Sequence, residues 1–499
     1  MDDSTSKKYA SKITESLEID TMDTVESSQV YDGTIYDDSL LFDTSEEVEF
    51  DESNLVDSSL LKEILWHGDI ITVYPLDYHE IDLVKWQILT CLVMFSVFGL
   101  NDQTTGSLIP TLTAEYGVST VTVSNIFLVQ MLGYTLASVF NDKIHRKVGM
   151  RGAIIGAAIS CIVFFGILSS KPSSIYIYIC CNLPLGLAIG LLDCTANVLI
   201  GNLITNKNEW MGILHGLYGA AAMVTPPLVT MFVERGKWTS FFLIPSTLAL
   251  IGLFLCLYSF KHETAAKYDY TCSIVDDESQ TVGSGLSGER GEPESFLNLF
   301  KNPAILLYAL FLFFYLGAEI STGSWLFTYL LATKSDNKMR MSYVTATFWT
   351  GLTVGRLTLG FVTKRIFHNE YRASYTYGIL TLCLYTLLVL IGLIDLSSLT
   401  YAISFGFVTF LCGVFIGPLF PNASIVAIQI LPKKLHVAGV GTAVAVGGCG
   451  AAFFPYIVGI LTHHLGISIF PLLCWMLVLV FISIWDIYPR FIKNQEEYL

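Results

Sequence analysis

Residues 315–325 read YLGAEISTGSW and place a carboxylate, Glu319, near the middle of an apolar run spanning about 303–331. A run of that length crosses a bilayer as a helix. A charge at bilayer depth costs at least ~2.5–3.5 kcal/mol, so the acid faces a partner or a water-filled cavity. Helical spacing puts Tyr315, Glu319 and Thr322 on one face. Gly317 and Gly323 leave room beside the acid for another backbone or a solute. Two roles fit: a structural pair with an arginine, or binding and coupling in transport.

Two further acids lie equally deep in apolar runs. Asp102 falls in GLNDQTTG, and Asp193 has Asn197 one helical turn on. Asn101, Asp102, Gln103, Thr104 and Thr105 are consecutive, and no lipid-facing helix tolerates five such residues. They imply an aqueous cavity, or a partly unwound segment lining one. Asp193 shares nearly one face with Gly186 and Gly190, so a packing role competes there. His215 can carry a proton or satisfy packing, and Arg356 can neutralise an acid. Trp325 and Trp349 can stack on a sugar face or anchor packing. A carboxylate in a poorly solvated cavity can bind and release a proton near neutral pH.

The elements that must position these groups follow from composition. The chain has 499 residues, 53% hydrophobic and 14% charged, with mean hydropathy +0.57. That excludes an ordinary soluble protein and implies a polytopic membrane protein. The net charge of −15 is concentrated in residues 1–83, which hold 22 acidic against 4 basic side chains. Residues 1–84 are expected to be a disordered acidic cytosolic tail. Two clusters in it, residues 37–41 and 57–61, have the form of acidic dileucine signals that sorting adaptors read. No cleavable signal peptide is visible. Of the 11 cysteines, only Cys272 lies clearly in a loop, which argues against a disulfide framework or metal site. No ATP-binding loop, cofactor motif, catalytic domain or nucleic-acid motif is present, so no enzyme is expected.

Apolar segments are predicted at 86–110, 120–140, 151–169, 175–201, 210–233 and 238–260. After a polar linker, 261–302, they resume at 303–331, 342–366, 374–394, 399–421, 437–462 and 467–488. This gives an amino-terminal six-helix half at 85–260, a carboxyl-terminal half at 303–490 and a short tail at 491–499. The Lys and Arg bias of short loops, including Lys143, Arg146, Lys147, Lys207, Lys364 and Arg365, puts both termini and the linker in the cytosol. The halves repeat. Gly133, Ser138, Asp142 and Lys143 match Gly355, Gly360, Lys364 and Arg365 at an offset of 222. Gly186 and Gly190 match Gly413 and Gly417 at 227. Two such halves form a transporter architecture with binding near mid-membrane.

The loop SVFNDKIHRKVGMR, residues 138–151, resembles the signature loop of the major facilitator superfamily, with Asp142, Lys143, Arg146 and Lys147 as its gating residues. Ser138 and His145 stand where glycines are usual. GLNDQTTG, LHGLYGAAA, YLGAEISTGSW, FWTGLTVGR and GPLFPN together resemble the fungal branch similar to the fucose–galactose–glucose:proton symporter group. The likeness covers about residues 86–490. It implies an all-α major facilitator fold of twelve transmembrane helices, with acids on helices one and four, here Asp102 and Asp193, as the functional pair. The expected function is proton-coupled symport of a small polar solute such as a monosaccharide. The alternatives are a uniporter or exporter of another organic solute, and a non-transporting nutrient receptor. The partners implied are the solute, protons and the bilayer. A monomer in the plasma membrane or an endosomal or vacuolar membrane is expected.

Overall fold

The computed structural model describes residues 60–273, 301–394, 398–431 and 436–491. Twelve helices carry the body: α1 Asp82–Tyr116, α2 Thr120–Ser169, α3 Ile175–Gly201, α4 Lys207–Glu234, α5 Leu243–Ser259, α6 Pro303–Thr333, α7 Lys338–Ile366, α8 Glu370–Gly392, α9 Ser398–Ile416, α10 Leu419–Ile430, α11 His436–Leu465 and α12 Phe470–Ile487. Side-chain caps start several of them: Ser119, Ser174, Asn302, Asn337 and Asn369 each accept a backbone N–H of the first turn.

These helices make two halves of six spans. In the first, α2 is 50 residues long and crosses twice, because Gly149 breaks it at φ 70°. In the second, α9 and α10 form one bent span. Ten of the described helical stretches are long and apolar enough to cross a membrane. The predicted segment 342–366 falls in α7, whose five cations and six threonines keep it outside that set. Its span is legible instead from the half-to-half repeat.

Glycines draw matching helices together in both halves. A Cβ at Gly133 or Gly186 would collide with the backbone of the facing helix, α3 or α2. A Cβ at Gly355 or Gly413 would do the same between α9 and α7. The two halves meet through Gly106 of α1 against Ser324 of α6, Gly219 of α4 against Thr353 of α7, and Gly459 of α11 against Ser124 of α2. Each of these contacts leaves no space for a Cβ. Gly106–Ser324 and Gly459–Ser124 lie toward the end of the bundle that carries the turns at 117–119 and 334–337 and join the halves there, whereas Gly219–Thr353 joins them near mid-helix.

The opposite end carries a structure that corrects the expected tail. Strands β1 Lys62–Trp66 and β2 Asp69–Val73 form an antiparallel hairpin. His67 and Gly68 turn it with positive φ at both positions, the geometry tight hairpins favour. Ile71 and Tyr74 are buried, so the segment from residue 60 onward has enough apolar surface to order on the body. Leu60 and Leu61, the leucines of one dileucine cluster, pack half-buried against the core. The other cluster lies outside the described residues.

The hairpin is fastened to the start of the linker, which is helical over 265–273. Trp66 Nε1 donates to Asp269 at 3.2 Å. Tyr74 donates to Glu263 at 2.6 Å, and the Lys267 ammonium reaches Glu263 at 2.7 Å while lying 3.8 Å over the Tyr74 ring. Burial, with Glu263 beside it, pushes the Tyr74 phenol up. Residues 76–78 bind the turn between α3 and α4, through Ile204 N–H to Leu76 O at 3.1 Å and Asn206 to the Tyr78 hydroxyl at 2.6 Å. Gly149 touches the backbone of Glu263 and Thr264, where a Cβ would not fit.

Candidate functional site

The Gly186 and Gly190 contacts press α2 onto α3, and this sets the first carboxylate. Tyr134 of α2 donates to Asp193 Oδ2 of α3 at 2.6 Å. Asn197, one turn on, donates to Asp193 Oδ1 at 2.8 Å, and its own oxygen lies 3.2 Å from His215 Nε2 on α4. The second carboxylate, Asp102 of α1, accepts from Gln130 of α2 at 3.0 Å and from the Tyr218 hydroxyl of α4 at 2.9 Å. Neither acid has a cation partner among the described residues. Both are half-buried, as are Asn197, His215 and Arg356.

The third carboxylate is bound differently. Arg356 Nη2 of α7 lies 3.0 and 3.2 Å from the two oxygens of Glu319, and the Tyr315 hydroxyl donates to Oε2 at 2.5 Å. Glu319 is 2% exposed at its side chain and Arg356 16%, so this is a largely dehydrated ion pair. Arg356 Nε also donates to Gly417 O at 3.4 Å, at the bend between α9 and α10. Tyr315 lies 3.1 Å from Ile416 O at the same bend. The carboxyl-terminal site is thus neutralised from within and tied to the bend.

The polar run of α1 does not unwind. The helix is continuous through it, and Thr104 and Ser107 donate to carbonyls one turn back at 2.6 and 2.8 Å. Asn101 and Gln103 are buried; Asn101 Nδ2 and both amide atoms of Gln103 have no hydrogen-bond partner among the described residues. Trp325 sits away from the acids in function: its indole N–H donates to Pro455 O of α11 at 2.9 Å and its ring packs beside Gly459. It is an interhelical anchor here. In the signature loop, Arg146 holds Asp142 at 3.0 Å and also Asp269 at 2.8 Å. Lys143 lies over the Phe140 ring at 5.6 Å, and neither it nor the exposed Lys147 forms an ion pair among the described residues. His145, in a glycine's place, is buried and bonds Thr195 at 3.1 Å. A recess of 440 Å³ at the end that carries the turns at 117–119 and 334–337, lined by Thr111, Glu115, Thr230 and Lys338 among others, contains none of the three acids.

Sequence reading missed Gln130, Tyr134 and Tyr218, and placed Tyr315 on the Glu319 face. A signal for Tyr134 existed: the 222-residue offset carries it onto Arg356. A second repeat also went unread. Asp102-Gln-Thr-Thr-Gly106 matches Glu319-Ile-Ser-Thr-Gly323 at an offset of 217. The two halves therefore place an acid at the same point of their first helices and give it different neighbours.

Comparison with known proteins agrees with this architecture. Residues 91–409 match the family model described as Major Facilitator Superfamily. Bypass of stop codon protein 6 of Saccharomyces cerevisiae is 56% identical over 90% of this chain and 91% of its own. The glucose/mannose transporter GlcP of Bacillus subtilis is 23% identical over 73% of this chain and 85% of its own. Among solved structures, a D-xylose-proton symporter superposes with a TM-score of 0.63 at 11% identity, covering 83% of this chain and 99% of that one. A POT family transporter in complex with 5-aminolevulinic acid gives 0.62 at 15% identity, covering 82% and 97%. These structural likenesses bear on the fold.

Proposed function

The chain belongs to the Major Facilitator Superfamily, and on that premise we propose that it is a proton-coupled symporter of a small neutral polar solute of the monosaccharide class. One observation carries this reading: two half-buried acids, Asp102 and Asp193, held by neutral donors and, among the described residues, by no cation. A buried carboxylate without a cation is costly as an anion and far less so as an acid. Such a group takes a proton readily when solute enters and water leaves. The Tyr, Gln and Asn donors around the two acids also suit hydroxyl-bearing solutes. The B. subtilis relative, named as a glucose/mannose transporter, makes hexoses the first solutes to try.

In this reading Asp102 and Asp193 serve the proton and the solute hydroxyls, while the Glu319–Arg356 pair shapes the other wall. The contacts Gly106–Ser324 and Gly459–Ser124 are the gate that closes in the present access state and parts in the other. The cation bias of the hairpin end supports a cytosolic location for both termini and the linker. The test uses purified protein. Hexoses should raise its thermal midpoint, since a ligand that binds only the folded state stabilises it. Asp102→Asn and Asp193→Asn should each lose net pH-driven uptake, and at least one should retain counterflow exchange. Full pH dependence in both variants would refute the proton role.

A further inference from the structure

Trp349 of α7 is fully buried, yet its indole N–H has no acceptor among the described residues. Buried tryptophan N–H groups usually find one. Trp325 and Trp485, also buried, do, with Pro455 O and Tyr371 O. The location of the exception is informative. Its pyrrole edge lies on the backbone of Gly323, where a Cβ would come within 2.9 Å of Nε1 and closer still to the ring carbons. Gly323 is one turn beyond Glu319, and Trp349 is two turns from Arg356 on the same helix face. The Tyr218 ring stands edge-on to the indole, with centroids 6.4 Å apart at 79°. The hydroxyl of that tyrosine binds Asp102. The indole and Tyr218 therefore form an aromatic roof beside Asp102 and the Glu319–Arg356 pair.

Resting on the symport reading above, we propose that Trp349 is a specificity-determining residue: its N–H takes one oxygen of the solute, while its ring edge and Tyr218 cover an apolar ring face. The solute class is then a neutral ring polyol with an acceptor oxygen beside a C–H face. An open-chain carboxylate or an amine does not match a roof with one donor and two aromatic surfaces. The unpaired amide atoms of Asn101 and Gln103, flanking Asp102, are further groups left for hydroxyls. Phenylalanine at 349 would keep an aromatic ring while deleting the donor together with part of the fused ring.

Two measurements test this. The first needs no solute: thermal unfolding of the solute-free wild type, Trp349→Phe and Trp325→Phe. Both substitutions shrink a fully buried side chain and lower the midpoint through the cavity left behind, but Trp349→Phe should lower it less, because Trp325 also loses a bonded N–H. A fall as large as that of Trp325→Phe would mean that the Trp349 N–H is already bonded within the protein, and would overturn the proposal. The second measures binding of D-glucose and its 2-, 3-, 4- and 6-deoxy analogues. Trp349→Phe should weaken D-glucose about three- to tenfold, the range of one hydrogen bond. One analogue should bind the wild type equally weakly and lose nothing further in the variant, because it lacks the oxygen that the indole takes. Equal loss for every analogue, or none for D-glucose, overturns the proposal. If no sugar of this set shifts the wild-type midpoint, the sugar reading itself falls, and the ring-polyol assignment with it.

Discussion

The two halves begin from one plan and treat their acids in opposite ways. Asp102 and Glu319 occupy matching places four residues before Gly106 and Gly323. Tyr134 and Arg356 occupy matching places on the repeat that also aligns Gly133 with Gly355. In the carboxyl-terminal half the arginine fixes the acid as an ion pair. In the amino-terminal half a tyrosine stands there instead, and Asp193 is left with neutral donors. Asp102, the counterpart of Glu319, is held by Gln130 and Tyr218, so the duplicated frame pairs one acid with a cation and leaves two with neutral donors.

The largest effect should come from breaking the pair. Arg356→Met strands Glu319 at 2% exposure and is expected to cost about 3–5 kcal/mol, read as a lowered unfolding midpoint. Arg356→Met combined with Glu319→Gln should recover most of that loss. Asp193→Asn, by contrast, keeps its hydrogen bonds and strands no cation, so its cost should stay within about 1 kcal/mol. Similar losses in both halves would erase the distinction. The glycine contacts give the opposite control, where the halves are alike. Gly186→Ala and Gly413→Ala each drive a Cβ into a facing carbonyl and should lose comparable stability, ~1–3 kcal/mol or more. A large inequality would show that the repeat is not symmetric in packing.

The smallest effect concerns the hairpin end. The Asp269–Arg146 pair is 41% and 45% exposed, so solvent screens it. Asp269→Asn should cost no more than ~1 kcal/mol, and the difference from wild type should shrink in high salt. A large, salt-independent loss would mean that Asp269 acts through packing.

Much of the fold was legible because apolar length and loop charge are local properties. All twelve predicted segments fall on helices, and the acids were found because a charge in an apolar run is conspicuous. Arg356, Tyr315 and Asn197 stood out in the sequence, but the remaining partners of Asp102 and Asp193 were not legible. Tyr134, Tyr218 and Gln130 are ordinary residues for membrane helices, and only the packing of α2 on α3 and of α1 on α4 brings them to carboxylates. Trp325 stood out by proximity to Glu319 in sequence, but its indole bonds Pro455 O of α11 and not the acids. The hairpin was hidden by its setting: residues 62–73 carry two short apolar runs, 64–66 and 70–73, at the end of a long acidic stretch whose composition reads as disorder.

The central claim is that proton coupling lies with Asp102 and Asp193 and not with Glu319. The most direct test is solute-driven proton movement in proteoliposomes, measured with a pH-sensitive dye for wild type, Asp102→Asn, Asp193→Asn and Glu319→Gln. The expected result is proton movement with solute in the wild type and its loss in at least one aspartate variant that still exchanges solute. Glu319→Gln should bind solute more weakly and move the same number of protons per solute. Undiminished proton movement in both aspartate variants, or its loss in Glu319→Gln alone, would contradict the account.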